Sequence, residues 1–313
     1  MKRPRDIKNI AASVRQRLYN RAREQGEDFD LILSRYVVER FLYRLSRSPY
    51  GDDFVLKGAQ LFSLWTGSPH RMTRDLDVLG KGAPDIPRLE VIFQAVCRQT
   101  VEEQDGIDLL ADSVKGEAIR EGAEYQGIRM RVAYILAGAK GTLQVDVGFG
   151  DVVTPAPALI EYPSLLDLPT PRLRAYPRET VVAEKYQALV MLGMGNSRMK
   201  DFYDLFVLAS HFPFEGVLLV RAVSATFERR KTALPEQAAL ALTPDFAKDP
   251  IKQRQWIGFL NRGRLGSTPP DLEGVINGIR AFLLPPTLAL VREEPFERTW
   301  SAGGPWKPNE KTD

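Results

Sequence analysis

Asp75-Leu76-Asp77 places two carboxylates two residues apart, the spacing that puts both on one side of an extended strand. Held ~4 Å apart at an effective dielectric of about 20, they repel by about 4 kcal/mol unless a proton or a cation intervenes. Magnesium removes that conflict, because it takes oxygen ligands from one or two carboxylates and completes its octahedron with water and substrate phosphates. Asp146, alternating with Val145 and Val147, is a third candidate carboxylate on the polar face of another strand. Three such groups on one sheet would hold two ions, one activating an attacking oxygen and one escorting a triphosphate. Taken singly, an Asp-x-Asp pair or an acid on an amphipathic strand is more often simply solvated, so the signal lies in the combination.

Three further features join it. Leu56-Lys57-Gly58-Ala59-Gln60 reads as a strand running into a helix, where backbone N–H groups and a glycine suit a phosphate. Lys185 shares a helical face with Val181, Val182 and Leu189, where a structural position would be apolar, so it must snorkel or meet an anion. Asp201 and Asp204 interrupt the apolar stripe of the next helix in the same way. Functionally, Lys185 would bind a triphosphate, with Arg198 and Lys200 also on phosphate, and Asp201 would orient it or the nucleotide; the bland alternative is an interlobe salt-bridge set of Lys185, Arg198, Lys200, Asp201 and Asp204. His70 and His211 are the only imidazoles, and no serine sits in a nucleophile-elbow pattern, so hydrolase triads are not expected. Trp65 and Trp256 would suit base stacking, although aromatics at helical spacing are more often core.

These residues need a scaffold. Apolar spacing predicts a packing helix over Asp30–Leu45, a short strand over Phe54–Lys57, a helix carrying Leu61, Leu64 and Trp65, and a strand within Arg71–Leu79 bearing both Asp75 and Asp77. A helix near Leu89–Glu102 follows, then a hairpin of Ile128–Tyr134 and Leu143–Val147 with Gly138 and Gly141 between its strands. Pro155, Pro157, Pro163, Pro169, Pro171 and Pro177 mark a connection, after which Glu179–Leu192 and Lys200–Ser210 read as helices. The expected organisation is an α+β, two-lobed chain. Residues 1–155 form a mixed-sheet lobe with N-terminal helices, 156–177 a Pro-rich connection, 178–295 a mainly helical lobe completing the active site, and 296–313 a flexible tail.

A chain of 313 residues can bury a sizeable core, and its single cysteine, Cys97, allows no intrachain disulfide and no thiolate metal cluster. The start lacks a signal-like apolar core and no uninterrupted apolar run reaches spanning length, so a cytoplasmic location without membrane partners is expected. Net charge is only +3, but Lys2, Arg3, Arg5, Lys8, Arg15, Arg17, Arg21 and Arg23 are opposed only by Asp6 before residue 24, a field suited to phosphates or else a solvated face.

In order, these blocks resemble the AbiEii-type nucleotidyltransferase toxins, relatives of the DNA polymerase β superfamily. The likeness runs through Phe54-Val55-Leu56-Lys57-Gly58-Ala59, Arg71-Met72-Thr73-Arg74-Asp75-Leu76-Asp77, Leu143 to Asp151, Ala183 to Leu189 and Arg198 to Leu205, and more faintly to about Phe259. The resemblance implies a polymerase β-like lobe, magnesium or manganese as cofactor, a nucleoside triphosphate as substrate and a separately encoded antitoxin as partner. It implicates Asp75, Asp77, Lys185 and Asp201 in activity, with Arg71 and Thr73 touching phosphate. Ala59 stands where the superfamily often has serine and this family often glycine, leaving backbone N–H groups, Lys57 or Thr73 to hold the triphosphate. Relatives modify the 3′ end of tRNA and block translation, so an RNA acceptor is expected. The N-terminal basic segment, Arg129, Arg131, Arg229, Arg230 and Lys231 would then hold the RNA backbone. A protein or small-molecule acceptor, or a non-catalytic binder, are the alternatives.

Overall fold

The structure is a computed structural model that describes residues 9–67, 71–121, 125–263, 265 and 269–309. It divides into two compact units. The first comprises Met1–Gly150 with Ala158–Ala175, and the second comprises Asp151–Pro157 with Tyr176–Asp313.

In the first unit the order is α1 (Ile10–Gln25), α2 (Phe29–Arg47), β1 (Phe54–Lys57), α3 (Gln60–Thr66), β2 (Leu76–Gly80), α4 (Ile86–Cys97), β3 (Asp108–Leu109), β4 (Lys115–Glu121), β5 (Tyr125–Leu136), β6 (Ala139–Phe149), β7 (Ala158–Glu161) and β8 (Arg172–Ala175). Caps start the helices: the Asn9, Asp28 and Asp85 side chains accept from Ala12, Asp30 and Arg88 N–H. Gly26 in the left-handed conformation closes α1. The strands form a mixed sheet in the order β3-β5-β6-β2-β1-β8-β7, with β4 pairing β5. Helices α2 and α4 pack on it.

Cross-strand rows alternate in character. Leu56, Val78, Val147 and Ile128 stand in register and are buried, as are Leu76, Val145 and Met130 two residues along. The row between them, which faces the other way by the period of two, is charged.

Several expectations need correction here. Asp75 precedes β2 instead of lying in it, and α4 stops at Cys97, short of Glu102. The β5–β6 hairpin turns at Ala137 and Gly138, both with positive φ, as a two-residue turn requires. Gly141 therefore lies inside β6, where a Cβ would come within 2.3 Å of the Tyr134 hydroxyl. The Pro-rich stretch is no bare connection: the chain enters the second unit at Asp151, returns for β7 and β8, and leaves again at Tyr176. Strand β8 pairs parallel with β1, so this return extends the sheet. A buried ionic set anchors it, with Glu39 accepting from the Leu165 N–H and the Ser164 hydroxyl and Arg40 donating to the Pro169 carbonyl. Arg44 in turn clasps Asp105 with both terminal nitrogens at 2.6 and 3.1 Å.

The second unit contains α5 (Arg178–Leu192), α6 (Met199–His211), β9 (Phe214–Glu215), α7 (Gly216–Arg229), α8 (Pro244–Lys248), α9 (Pro250–Arg262), α10 (Leu272–Val291), β10 (Arg298–Trp300) and β11 (Trp306–Pro308). Helix α10 is long and apolar enough to cross a membrane by length and composition, which the apolar-run test did not anticipate. Its Val275, Ile276, Ile279, Phe282 and Leu283 are buried in the packing of this unit. Trp256 is core rather than a stacking platform. Of the tail expected to be flexible, residues 296–309 are a built part of the fold. β9, β10 and β11 form an antiparallel sheet, the Trp300 indole N–H donates to the Ala209 carbonyl at 2.7 Å, and that of Trp306 to the Phe282 carbonyl at 2.9 Å. Phe282, Phe296, Trp300 and Trp306 form one ring cluster.

Trp300→Ala is expected to destabilise the second unit by about 3–5 kcal/mol, the range for an aromatic truncated in a packed core. Denaturant unfolding of the variant beside the parent chain measures it; an unchanged midpoint would mean that the C-terminal strands contribute nothing to the core.

Candidate active site

The charged row of the first unit is Lys57, Asp77, Asp146, Arg129 and Glu117, each the register partner of the next across β1, β2, β6, β5 and β4. Its centre is two carboxylates directly opposed on parallel strands, an arrangement that destabilises a sheet unless counter-charge is supplied. Arg129 supplies part of it, gripping Asp146 through Nε at 2.9 Å and Nη2 at 2.8 Å. Those bonds raise the guanidinium pKa further, with Asp75 adding to the effect electrostatically, which sets Asp75 close to the same row.

Gly58 follows Lys57 with φ of +77°, and a Cβ there would lie 2.2 Å from Asp77 Oδ2. The glycine is thus required twice, for its left-handed backbone and for the carboxylate resting against it. Ala59 is buried at the start of α3 and offers no capping hydroxyl. The Asp75 carbonyl accepts from Gln60 Nε2 at 3.4 Å and from the Thr73 hydroxyl at 3.5 Å, while Arg71 donates to the Met72 carbonyl at 3.4 Å. Thr73 and Arg71 therefore also shape the chain that leads into the acidic pair. His70 lies outside the described residues.

Asp75 and Asp77 bring the hard oxygen donors that magnesium takes, and their chemistry fits that ion. Asp146, the third ligand expected, accepts from Arg129 through both its oxygens. Among the described residues no three His, Cys, Asp or Glu side chains group as a metal site.

A second cluster lies wholly within the second unit. Lys185 Nζ is 2.7 Å from Asp201 Oδ1 and 2.8 Å from Asp204 Oδ2, and Arg198 Nε is 2.8 Å from Asp201 Oδ2. Both acids are buried, whereas Lys185 is 14% and Arg198 40% exposed. Burial by itself would raise the Asp201 carboxyl, but Lys185 and Arg198 outweigh it and hold the group below its ordinary 3.8. Lys200 is exposed on the first turn of α6. Beside this cluster Arg230 reaches Asp151 at 3.0 Å, Gln187 at 2.9 Å and Glu184 at 3.5 Å.

The basic residues offered for an RNA backbone are largely committed elsewhere. Arg129 and Arg230 are consumed as above, and Arg131 pairs with Glu117 at 2.8 Å. Arg15, Arg17 and Arg21 donate to the carbonyls of Ala137, Leu166 and Leu165. Residues 1–8, with the remaining N-terminal charge, lie outside the described residues. Gln60, Arg129 as the partner of Asp146, and the Arg230 clasp are site features that side-chain type alone did not expose.

The sequence pattern of the family described as nucleotidyl transferase AbiEii toxin, type IV toxin–antitoxin system, matches residues 40–278. No curated protein matches significantly. Among solved structures, one described provisionally as a nucleotidyltransferase from H. pylori is 17% identical with a TM-score of 0.50, covering 86% of this chain and 100% of that one. JHP933 from Helicobacter pylori is 18% identical with a TM-score of 0.50, covering 85% and 95%. At such identity the likeness speaks for the fold, an α+β arrangement shared with these chains.

Lys185→Met leaves two buried carboxylates without their shared cation and is expected to cost about 3–5 kcal/mol. Because the folded Asp201 pKa is depressed, its contribution is present above the ordinary value and is lost as pH falls through the lowered one. Without Lys185 the burial influence gains weight and that carboxyl moves up, so acid unfolding should begin at higher pH in the variant. Unfolding curves from pH 7 to roughly pH 3 check both the size and the direction.

Proposed function

The chain belongs to the AbiEii family of nucleotidyl transferase toxins of type IV toxin–antitoxin systems, and from that premise we propose that it transfers a nucleotide from a nucleoside triphosphate to the 3′ end of an RNA, most readily a tRNA, and so blocks translation. The activity class, nucleotidyl transfer, and an antitoxin counterpart come with the family. The observation that carries the site reading is the aligned row of Lys57, Asp77 and Asp146 on one sheet face, with Asp75 just before β2 and felt electrostatically by Arg129.

In this reading a terminal hydroxyl attacks the α-phosphorus. A new oxygen–phosphorus bond forms, the bond to the β-phosphate breaks, pyrophosphate departs and the hydroxyl proton passes to solvent. Asp75 and Asp77 would hold magnesium or manganese, which when bound would neutralise the developing phosphate charge. Arg129 holds both oxygens of Asp146, and Lys57, with the backbone at Gly58 and Ala59, takes phosphate oxygens. Within the second unit, Asp201 and Asp204 fix Lys185, and Lys185 and Arg198 together offer positive charge of the kind that attracts an anion. The engagement of Arg129, Arg131 and Arg230 in ion pairs removes part of the case for an RNA backbone and favours, as second reading, a protein or small-molecule acceptor.

Purified protein incubated with magnesium, each of four α-labelled nucleoside triphosphates and total tRNA should label RNA with one base preferred. Asp75→Ala should lower the rate on the order of 1,000-fold, the equivalent of several kcal/mol of lost charge stabilisation. Label appearing in protein instead of RNA would establish the second reading, and label indifferent to Asp75 would overturn the assignment of the site.

A further inference from the structure

Gln60 is an amide at the first position of α3, 1% exposed and followed by the fully buried Leu61 and Phe62. A primary amide in such surroundings costs about 2–7 kcal/mol unless it is hydrogen-bonded. This one is bonded at both ends. Its Nε2 donates to the main-chain carbonyl of Asp75 at 3.4 Å, and its Oε1 accepts from the Tyr162 hydroxyl at 2.9 Å. Tyr162 is 4% exposed and lies in the returning segment, just after β7.

The direction of this relay is set by the tyrosine. Burial pushes the Tyr162 phenol above its ordinary range, so the hydroxyl stays protonated and donates. A donor there draws the Gln60 carbonyl oxygen toward it and turns the amide nitrogen toward Asp75. Asp75 itself stands just before β2 begins, and its carbonyl also receives the Thr73 hydroxyl.

We propose that Gln60 is a positioning residue that sets the main chain of Asp75 for cation binding, with Tyr162 fixing the orientation of its amide. This rests on the reading of Asp75 as a cation ligand. Magnesium-type ions demand near-ideal octahedral geometry, so a carboxylate displaced by a fraction of an ångström binds less well. Leucine at position 60 would fill similar space without a donor, and the Asp75 carbonyl would lose the Gln60 hydrogen bond. The 158–175 segment thereby acts on the acidic pair without contributing a charged group to it.

The test is Mn2+ binding to the purified full-length chain, followed by electron paramagnetic resonance, for the parent, Gln60→Leu, Tyr162→Phe, the double variant and Asp75→Asn. Gln60→Leu is expected to weaken Mn2+ affinity about tenfold, the low end for residues that support metal ligands. Tyr162→Phe should weaken it less, and the double variant should match Gln60→Leu alone, because both changes break one relay. Parent-like affinity in Gln60→Leu, with binding lost in Asp75→Asn, overturns this proposal and leaves the cation site standing. Undiminished binding in Asp75→Asn overturns the cation-site reading itself and the relay with it. If Gln60→Leu does not fold, Tyr162→Phe decides, since it removes a single oxygen: unchanged affinity overturns the relay.

Discussion

Asp77 and Asp146 stand opposite each other on neighbouring parallel strands, and the first unit is arranged around that repulsion. Two like charges in register at the centre of a sheet oppose the pairing they sit on. The strands outside them answer with Lys57 on one flank and Arg129 on the other. The rows before and after are apolar and face away, so the sheet gains its stability from Leu56, Val78, Val147 and Ile128 on one side of the charged row and from Leu76, Val145 and Met130 on the other. Burial of such side chains, at about 1.5–3 kcal/mol each, comfortably exceeds a screened repulsion on the open face. A sheet so anchored tolerates acids at its centre, which is a condition for gathering a cation there.

How much of this was legible in the chain depends on which constraint fixed each part. The charged β6 strand was plain because Asp146 alternates with buried valines. Its partner was not, and the reason is a single turn. Reading Gly138 and Gly141 both as turn residues leaves the register open, whereas a two-residue turn at Ala137 and Gly138 pairs residue 136 with 139 and by the same count Arg129 with Asp146. Gly141 misled because its reason is tertiary: it makes room for the Tyr134 ring. The prolines misled similarly. Their density suggested a linker, yet edge strands tolerate proline nearby, and β7 with β8 add to the sheet across the same stretch. Near the C-terminus, two glycines and a proline between Trp300 and Trp306 hid two short strands whose stability comes from indoles docked on Phe282, a contact distant in sequence.

The helical unit was legible for a different reason. Lys185, Asp201 and Asp204 broke apolar stripes, and polar groups in such places must find partners. The structure gives them one another within the second unit, as ion pairs of Lys185 with Asp201 and Asp204. The neighbouring clasp of Arg230 on Asp151 and Glu184 had no such signal, because an arginine just past the end of α7 is ordinary.

An ion-pair cluster need not be the end of the matter, and its distribution of exposure argues that it is not. Two carboxylates and two cations sum to zero, but the carboxylates are 2% and 0% exposed while the cations are 14% and 40% exposed. What solvent meets is therefore positive. A purely structural quartet has no need of this asymmetry, since replacing buried pairs by apolar side chains is often neutral or stabilising. Acids placed beneath cations hold long side chains in one orientation, the kind of preorganisation that recognition of a polyanion calls for. In the sheet unit, Gln60 and Thr73 likewise reach the main chain of Asp75 and so fix the backbone that carries its carboxylate.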